Sequence, residues 1–392
     1  MGDTRELLRS AVRYALTGNK DNISLLQAAD NDELAGLYKL SKAQDLAHLV
    51  AHALNENGVE TDSELRSKFE KQLGLAVYRT TLNDSTLARI CDLLEEIGVD
   101  FIPLKGSVLR AYYPERWMRT SCDIDVLIHE CDIDKCCQAI TERLGMKCKS
   151  RNSHDVPFYS DDNVHLELHF TLIEDGRAAE SARILSAVWE HSSLRSGWSH
   201  YYEMSDAMFY YYHLAHAAKH LEVSGSGIRQ VLDLYILDRI CAKDASARDA
   251  LLTEGGLYKL CECMRSLSRV WLGDKTADES DLKLEDYLIS SGVYGNLENR
   301  VSLELDSSGI KGNRIVYVFK RLFLPYETMK YQYPILEKWK ILLPFCQVHR
   351  WFDRIFRGRL KSARQELVIA SRLTETENKS RAELIRSLGL DP

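Results

Sequence analysis

Proline is scarce, with 7 among 392 residues, and no run of about 18 apolar residues occurs anywhere in the chain. The first shortage argues against a Pro-rich linker or a wholly disordered chain, and the second argues against a membrane-spanning helix. An excess of positive charge is also missing. Lys and Arg total 51 against 58 Asp and Glu, a net charge of -7, which excludes nucleic-acid binding through overall basicity. Ten cysteines are present but without a CxxC pair, so neither a disulfide framework nor a structural zinc site is expected, and reduced thiols are. The first residues, Met-Gly-Asp-Thr-Arg-Glu, lack an apolar signal core, and Glu6 departs from the myristoylation pattern. The expectation is a cytoplasmic protein. Hydrophobic residues at 45% and charged residues at 28% are those of an ordinary folded chain, long enough for two or three domains.

Periodicity divides the chain. From Thr4 to about Gly98 apolar residues recur at helical spacing, as in Leu7, Leu8, Val12, Leu16 and Leu46, Leu49, Val50, Leu54. The stretch Asn83 to Ile97 predicts a helix with Ser85 as its cap and Gly98 as its stop. Val99 to Leu104 then reads as a buried strand, Gly106-Ser107 as a turn, and Val108 to Tyr113 as a helix. A polar, basic loop leads to a second strand, Asp123 to Ile128; a helix follows over Asp132 to Leu144, closed by Gly145. Val156 to Tyr159 and Val164 to Phe170 predict two strands around an Asp161-Asp162-Asn163 turn. From Ala178 onward the period is helical throughout, including Ala207 to Leu221 and Ile228 to Ile240, with no repeat and no low-complexity linker. The expected fold is α+β, with a small mixed sheet embedded in N- and C-terminal helical regions. Its parts are a helical region at 1–97, an α/β core at 98–175, a helical domain closing the cleft at 176–300 and a basic, aromatic-rich helical region at 301–392.

The chemistry concentrates in the small α/β unit. Asp123 and Asp125, at i and i+2 on a strand, project from one face, and like charges held that close call for a cation. Glu167 in Val-His-Leu-Glu-Leu-His-Phe points away from the flanking Leu166 and Leu168, and His169 shares its face. Three carboxylates on two strands suit two Mg²⁺ or Mn²⁺ ions, which would activate an attacking hydroxyl and stabilise a leaving pyrophosphate. Upstream, Lys105-Gly106-Ser107 stands at a strand-to-helix junction. There a backbone that Gly106 opens to close approach, the Ser107 hydroxyl, Lys105 and Arg119 would receive a triphosphate. A plain helix start with Ser107 as cap is the competing reading.

Strand, Gly106-Ser107, helix, Asp123-x-Asp125 and a later Glu167 together resemble the signature of the DNA polymerase β-like nucleotidyltransferase superfamily. The runs Ile102-Pro-Leu-Lys-Gly-Ser107 and Tyr113 to Ile128, with the triplet Glu167-Leu-His169, are similar to the bacterial family described as uncharacterised nucleotidyltransferases. The helical leader and the segment from Phe323 through Tyr333-Pro334 to Arg354 extend the similarity over most of the chain. The resemblance implies a Mg²⁺-dependent transfer of a nucleoside monophosphate from an NTP to an acceptor. Asp123 and Asp125 would be the metal ligands, Glu167 the third carboxylate, and Gly106 and Ser107 the triphosphate cradle. Cys122 stands where that family often has Gly.

Other residues are second-tier. His213, His216 and His220 form one stripe on a helix; three ligands on one straight helix suit zinc poorly, so the helix is expected to line the cleft, with Lys219, Arg229 and Asp233 nearby. Between Lys311 and Arg364, 13 Lys or Arg face 3 acidic residues, interleaved with Tyr317, Phe323, Tyr331, Trp339, Trp351 and Phe356. RNA or another polyanion could bind there; an amphipathic bundle with its aromatics in the core is the favoured reading. Two rivals to nucleotidyl transfer stand: a catalytically silent nucleotide- or RNA-binding protein on the same fold, and a phosphotransferase variant. The acceptor and the oligomeric state are not written in the sequence.

Overall fold

The structure is a computed structural model, and it describes residues 4–149, 151–173, 179–307, 319, 322–356, 365–366, 368–370 and 372–391. The chain forms two compact units. One comprises Met1–Ala217 with Gly227–Val293, the other Ala218–Ser226 with Tyr294–Pro392.

The first unit begins with helices α1 (Thr4–Thr17), α2 (Ile23–Ala28), α3 (Asn31–Ala43), α4 (Ala47–Glu56) and α5 (Ser63–Glu96). Asp30 caps α3 through a reciprocal bond with Glu33. The 34-residue α5 starts at Asp62, whose carboxylate accepts from the Leu65 N–H at 2.8 Å. Ser85 therefore sits inside a continuous helix and caps nothing, contrary to the helix start expected at Asn83. The alternating and apolar runs that follow give β1 (Phe101–Pro103), the short helix α6 (Lys105–Leu109), β2 (Asp123–Ile128), α7 (Ile133–Leu144), β3 (Lys147–Cys148), β4 (Asp155–Tyr159) and β5 (His165–His169). Gly145 ends α7 in the left-handed region, φ 68°, as only a residue without Cβ does at no cost.

These strands make one five-stranded mixed sheet in the order β1-β2-β5-β4-β3. β2 and β5 are parallel neighbours, while β1 pairs with β2, and β4 with both β5 and β3, antiparallel. One face is apolar. Ile124, Val126, Ile128, Val156, Phe158, Leu166 and Leu168 pack there with Ile90, Leu93 and Leu94 of α5 and with Ile133, Cys136 and Ile140 of α7. Each buried aliphatic or aromatic side chain contributes about 1.5–3 kcal/mol, so this layer fixes the register of β2 against β5.

A second sheet was not foreseen. After α8 (Ala179–Ser186), β6 (Ser192–Leu194) and β7 (Tyr202–Met204) form an antiparallel hairpin, which corrects the all-helical expectation beyond Ala178. The Phe101 N–H donates to the His200 carbonyl at 2.9 Å, so the hairpin covers the outer edge of β1. Helices α9 (Asp206–Val223), α10 (Arg229–Ile240), α11 (Ala245–Glu254), α12 (Tyr258–Leu272) and α13 (Glu279–Ser291) follow.

In the second unit, helices cover Leu297–Ser307, Tyr326–Gln332, Ile335–Lys338, Leu343–Phe356 and Glu375–Ser387. Tyr317 and much of the basic stretch between Lys311 and Arg364 lie outside the described residues. Of the aromatics expected in a core there, Trp339 is 61% exposed and Phe323 is also exposed. No helix among the described residues is long and apolar enough to cross a membrane, and all ten cysteines are free thiols.

Candidate functional site

Opposite the apolar layer, the alternate residues of β2 and β5 make a polar face. The parallel register sets Asp123 beside His165 and Asp125 beside Glu167, so the carboxylates expected on one face meet there. Asp125 is 1% exposed, and a charge that deep requires partners. It has two: Asp125 Oδ1 accepts from Lys105 Nζ at 2.7 Å and from His169 Nε2 at 2.9 Å. His169 Nε2 also lies 3.4 Å from Glu167 Oε2. Ligand atoms of Asp125, Glu167 and His169 all fall within 4.8 Å of one another. His169, read from the sequence as a residue that contacts a phosphate or orients Glu167, stands in the carboxylate cluster, and Asp123 lies outside that group of three while sharing its face.

The electrostatics sort these groups. Burial pushes the Asp125 carboxyl up, but Lys105 and His169 more than reverse this and hold it well below the usual carboxylate range. Asp123 goes the other way: burial and the adjacent Asp125 charge raise it, with Lys105 offsetting only part. Glu167 is held down by the hydrogen bond from His169, against its own burial. His169 is lowered by burial, yet its bonds to Asp125 and Glu167 prevail and its pKa is raised. Burial would also lower Lys105, but Asp125 outweighs it and the ammonium is kept charged. Asp123 is thus the carboxylate left short of positive charge.

Lys105 has φ 48°, a conformation a side-chain-bearing residue adopts at a cost of order 1–3 kcal/mol. This sharp turn from β1 into α6 aims its ammonium at Asp125. Gly106 is needed for packing, because a Cβ there would come 3.1 Å from Ser121 Cβ and 3.3 Å from Arg119 Nη1. Gly106 thus makes a close approach to the loop before β2. Ser107 is buried and its hydroxyl has no hydrogen-bond partner among the described residues; it does not cap α6, whose cap residue is Leu104.

The loop 113–122 that delivers Asp123 is held by a polar frame. Arg119 donates to Asp233 in a two-pronged pair, Nε to Oδ1 at 2.7 Å and Nη2 to Oδ2 at 2.9 Å. The Tyr113 hydroxyl adds a 2.6 Å bond to Asp233 Oδ1. The charge of Arg119 is therefore matched within the fold by Asp233. Arg229 Nη1 reaches Asp45 Oδ2 at 2.9 Å and the Thr120 carbonyl at 3.3 Å, and the Thr120 hydroxyl donates to the same Asp45 oxygen at 2.7 Å. Arg110, 1% exposed, donates to the Gly106 carbonyl, Asp84 and Ser121. His48 Nε2 meets the Met118 carbonyl at 3.1 Å. Sequence reasoning placed Arg119 at the triphosphate and Arg229 and Asp233 near the cleft; it missed Asp45, His48, Asp84, Arg110 and Thr120. The signal for Asp84 was visible, since Asn83-Asp84 breaks the apolar period of α5.

Of the histidine stripe on α9, His213 lies by this frame. It is buried, its Nδ1 faces the Phe209 carbonyl at 2.9 Å, and its Nε2 has no hydrogen-bond partner among the described residues. Burial, with the nearby Arg119 and Lys105 charges, lowers it to about 4. His216 follows on the same helix in the first unit, whereas Lys219 and His220 belong to the second. His216 is not in the group of Asp125, Glu167 and His169 among the described residues.

A family model described as uncharacterised nucleotidyltransferase matches residues 30–273. The chain belongs to that family. The match spans every strand of the five-stranded sheet, the loop frame and helices α3 through α12. No curated protein and no solved structure matches this nucleotidyltransferase-family chain. Nucleotidyltransferases generally work on nucleotides with divalent metals, and the cluster of two carboxylates and an imidazole has the donor set for such an ion.

Proposed function

We propose that the protein is a divalent-metal-dependent nucleotidyltransferase of polymerase β-like fold that moves a nucleoside monophosphate from an NTP to a hydroxyl or phosphate of an acceptor, releasing pyrophosphate. The observation that carries the reading is Asp125 directly beside Glu167 on parallel strands, with Asp123 on the same face, in a chain of the nucleotidyltransferase family. Asp123, Asp125 and Glu167 would hold Mg²⁺ or Mn²⁺. Such ions, when bound, polarise the phosphoryl group and ease deprotonation of the attacking hydroxyl.

The chain's own groups then have separate tasks. Glu167, half-buried and ionised, takes up the acceptor proton. Lys105 keeps an ammonium beside Asp125, where it can turn to the charge that develops on the departing pyrophosphate. Ser107 has a buried hydroxyl free to donate to a phosphate oxygen. Arg119 acts through position, because its pair with Asp233 holds the strand entry that presents Asp123.

The test is thermal unfolding of the wild type and of the Asp123→Asn/Asp125→Asn double variant with ATP, GTP, CTP and UTP, with and without Mg²⁺ or Mn²⁺. A ligand at 100 times its Kd adds about 2.7 kcal/mol to the folded state. A metal-dependent shift with at least one NTP, absent from the double variant, is expected, followed by pyrophosphate release in an acceptor screen. No shift with any nucleotide overturns the reading, and ADP as product in place of pyrophosphate moves it to phosphotransfer.

A further inference from the structure

The imidazole in the cluster bears on which cation the site takes. Two ligands adjacent on one octahedral ion, each bonded at about 2.1 Å, stand about 3 Å apart. His169 Nε2 lies 2.9 Å from Asp125 Oδ1 and 3.4 Å from Glu167 Oε2, so two edges of a coordination polyhedron are present before any ion enters. The backbone sets this spacing: Glu167 and His169 are i and i+2 on β5, and Asp125 is the registered neighbour of Glu167 on β2. Asp125 and His169 are buried among rigid strands, with the His154 ring stacked on that of His169 at 6.0 Å. Lys105 and His169 both bond to the Asp125 Oδ1 atom, so a dication entering here would take the place of the proton on His169 Nε2.

Mg²⁺ demands near-ideal octahedral oxygen ligation, whereas first-row transition dications accept mixed nitrogen and oxygen donors. We propose that His169 is a metal ligand alongside Asp125 and Glu167, and that its nitrogen makes the site select Mn²⁺ over Mg²⁺. The inference deepens the metal-dependent reading of this site and rests on it. An imidazole donor favours ions later in the divalent series, and the two carboxylates keep the site within reach of Mn²⁺, which shares the phosphate-oxygen chemistry of Mg²⁺.

The experiment uses the full chain and the metals alone. Mn²⁺ binding is titrated by electron paramagnetic resonance of the free ion, with Mg²⁺ as competitor, for the wild type, His169→Ala and His169→Asp. Pulsed resonance of bound Mn²⁺ reads directly whether a nitrogen nucleus is coupled to it, and circular dichroism verifies that each variant is folded. The wild type is expected to bind Mn²⁺ at least tenfold more tightly than Mg²⁺ with a nitrogen coupling. His169→Ala is expected to lose at least tenfold in Mn²⁺ affinity, and His169→Asp to bind without nitrogen coupling and with a smaller Mn²⁺ to Mg²⁺ ratio. Bound Mn²⁺ without nitrogen coupling in the wild type, no Mn²⁺ binding, or unchanged affinity in folded His169→Ala overturns the assignment. The two readings fail separately. Nitrogen-coupled Mn²⁺ with no nucleotide response keeps the metal site and removes nucleotidyl transfer, while an NTP response with uncoupled Mn²⁺ does the reverse.

Discussion

The two faces of the five-stranded sheet are built from the same strands and differ only in the parity of the residue. On one, Ile124, Val126, Leu166 and Leu168 close against α5 and α7; on the other, Asp123, Asp125, Glu167 and His169 stand in register. The apolar face is self-consistent, since each side chain gains by the burial of its neighbours. The polar face is not: Asp125 is compensated, whereas Asp123 is held in its charged form against both burial and a like charge. The first face therefore supplies stability that the second consumes, as expected where a site is strained for use.

Substitutions separate the faces. The largest effect is expected from Asp123→Asn, which should lower the pyrophosphate-release rate at least about a thousandfold, or about 4 kcal/mol in activation free energy. Because its folded-state pKa is raised, removing the charge should leave the melting midpoint unchanged or higher. A midpoint that falls markedly would place Asp123 among the stabilising residues and break the contrast. On the other face, Phe158→Ala should cost about 3–5 kcal/mol in urea unfolding, with turnover per folded molecule within a few-fold of wild type; a turnover loss like that of Asp123→Asn would show the faces to be coupled.

A pH series sharpens the comparison on the polar side. The folded-state pKa of His213 is about 4, against about 6.5 unfolded, so the folded state resists its protonation. Its contribution is fully present above pH 6.5 and is lost as pH falls toward 4, by about 3 kcal/mol in all. Urea midpoints at pH 7, 5.5 and 4.5 should follow that decline, and His213→Gln should flatten it. The smallest effect is expected from Ser107→Ala, about tenfold in apparent NTP affinity, or about 1.4 kcal/mol, read by nucleotide titration of the thermal shift; unchanged affinity would remove Ser107 from the nucleotide site.

The faces were legible in the sequence because a period of two is a local property: Asp123-x-Asp125 and Glu167-x-His169 carry it within three residues each. The turn at Asn163, φ 60°, and the stop at Gly145 were legible for the same reason. What escaped is non-local. Arg119 and Asp233 are 114 residues apart, so nothing in either segment announces that one charge cancels the other. The β6–β7 hairpin escaped because three-residue strands such as Ser192–Leu194 and Tyr202–Met204 are too short to establish a period, and what holds the second of them is its place along the edge of β1. The packing of Gly106 against Ser121 escaped too, since only the tertiary structure brings the two together.

The parallel pairing of β2 with β5 bears on the order in which the protein comes into being. Parallel neighbours cannot be joined by a tight turn, and here residues 129–164, carrying α7, β3 and β4, must be laid down between them. Closing a loop of that length is an entropic toll met before any contact repays it, which places the pairing among the slower steps of folding. On the ribosome, Asp123 and Asp125 emerge well ahead of Glu167 and His169, and a nascent chain that ends before β5 carries the aspartates with Lys105 but without Glu167 and His169. The cluster is therefore a product of late, long-range closure, and occupancy of the site by a cation would report that the sheet is complete.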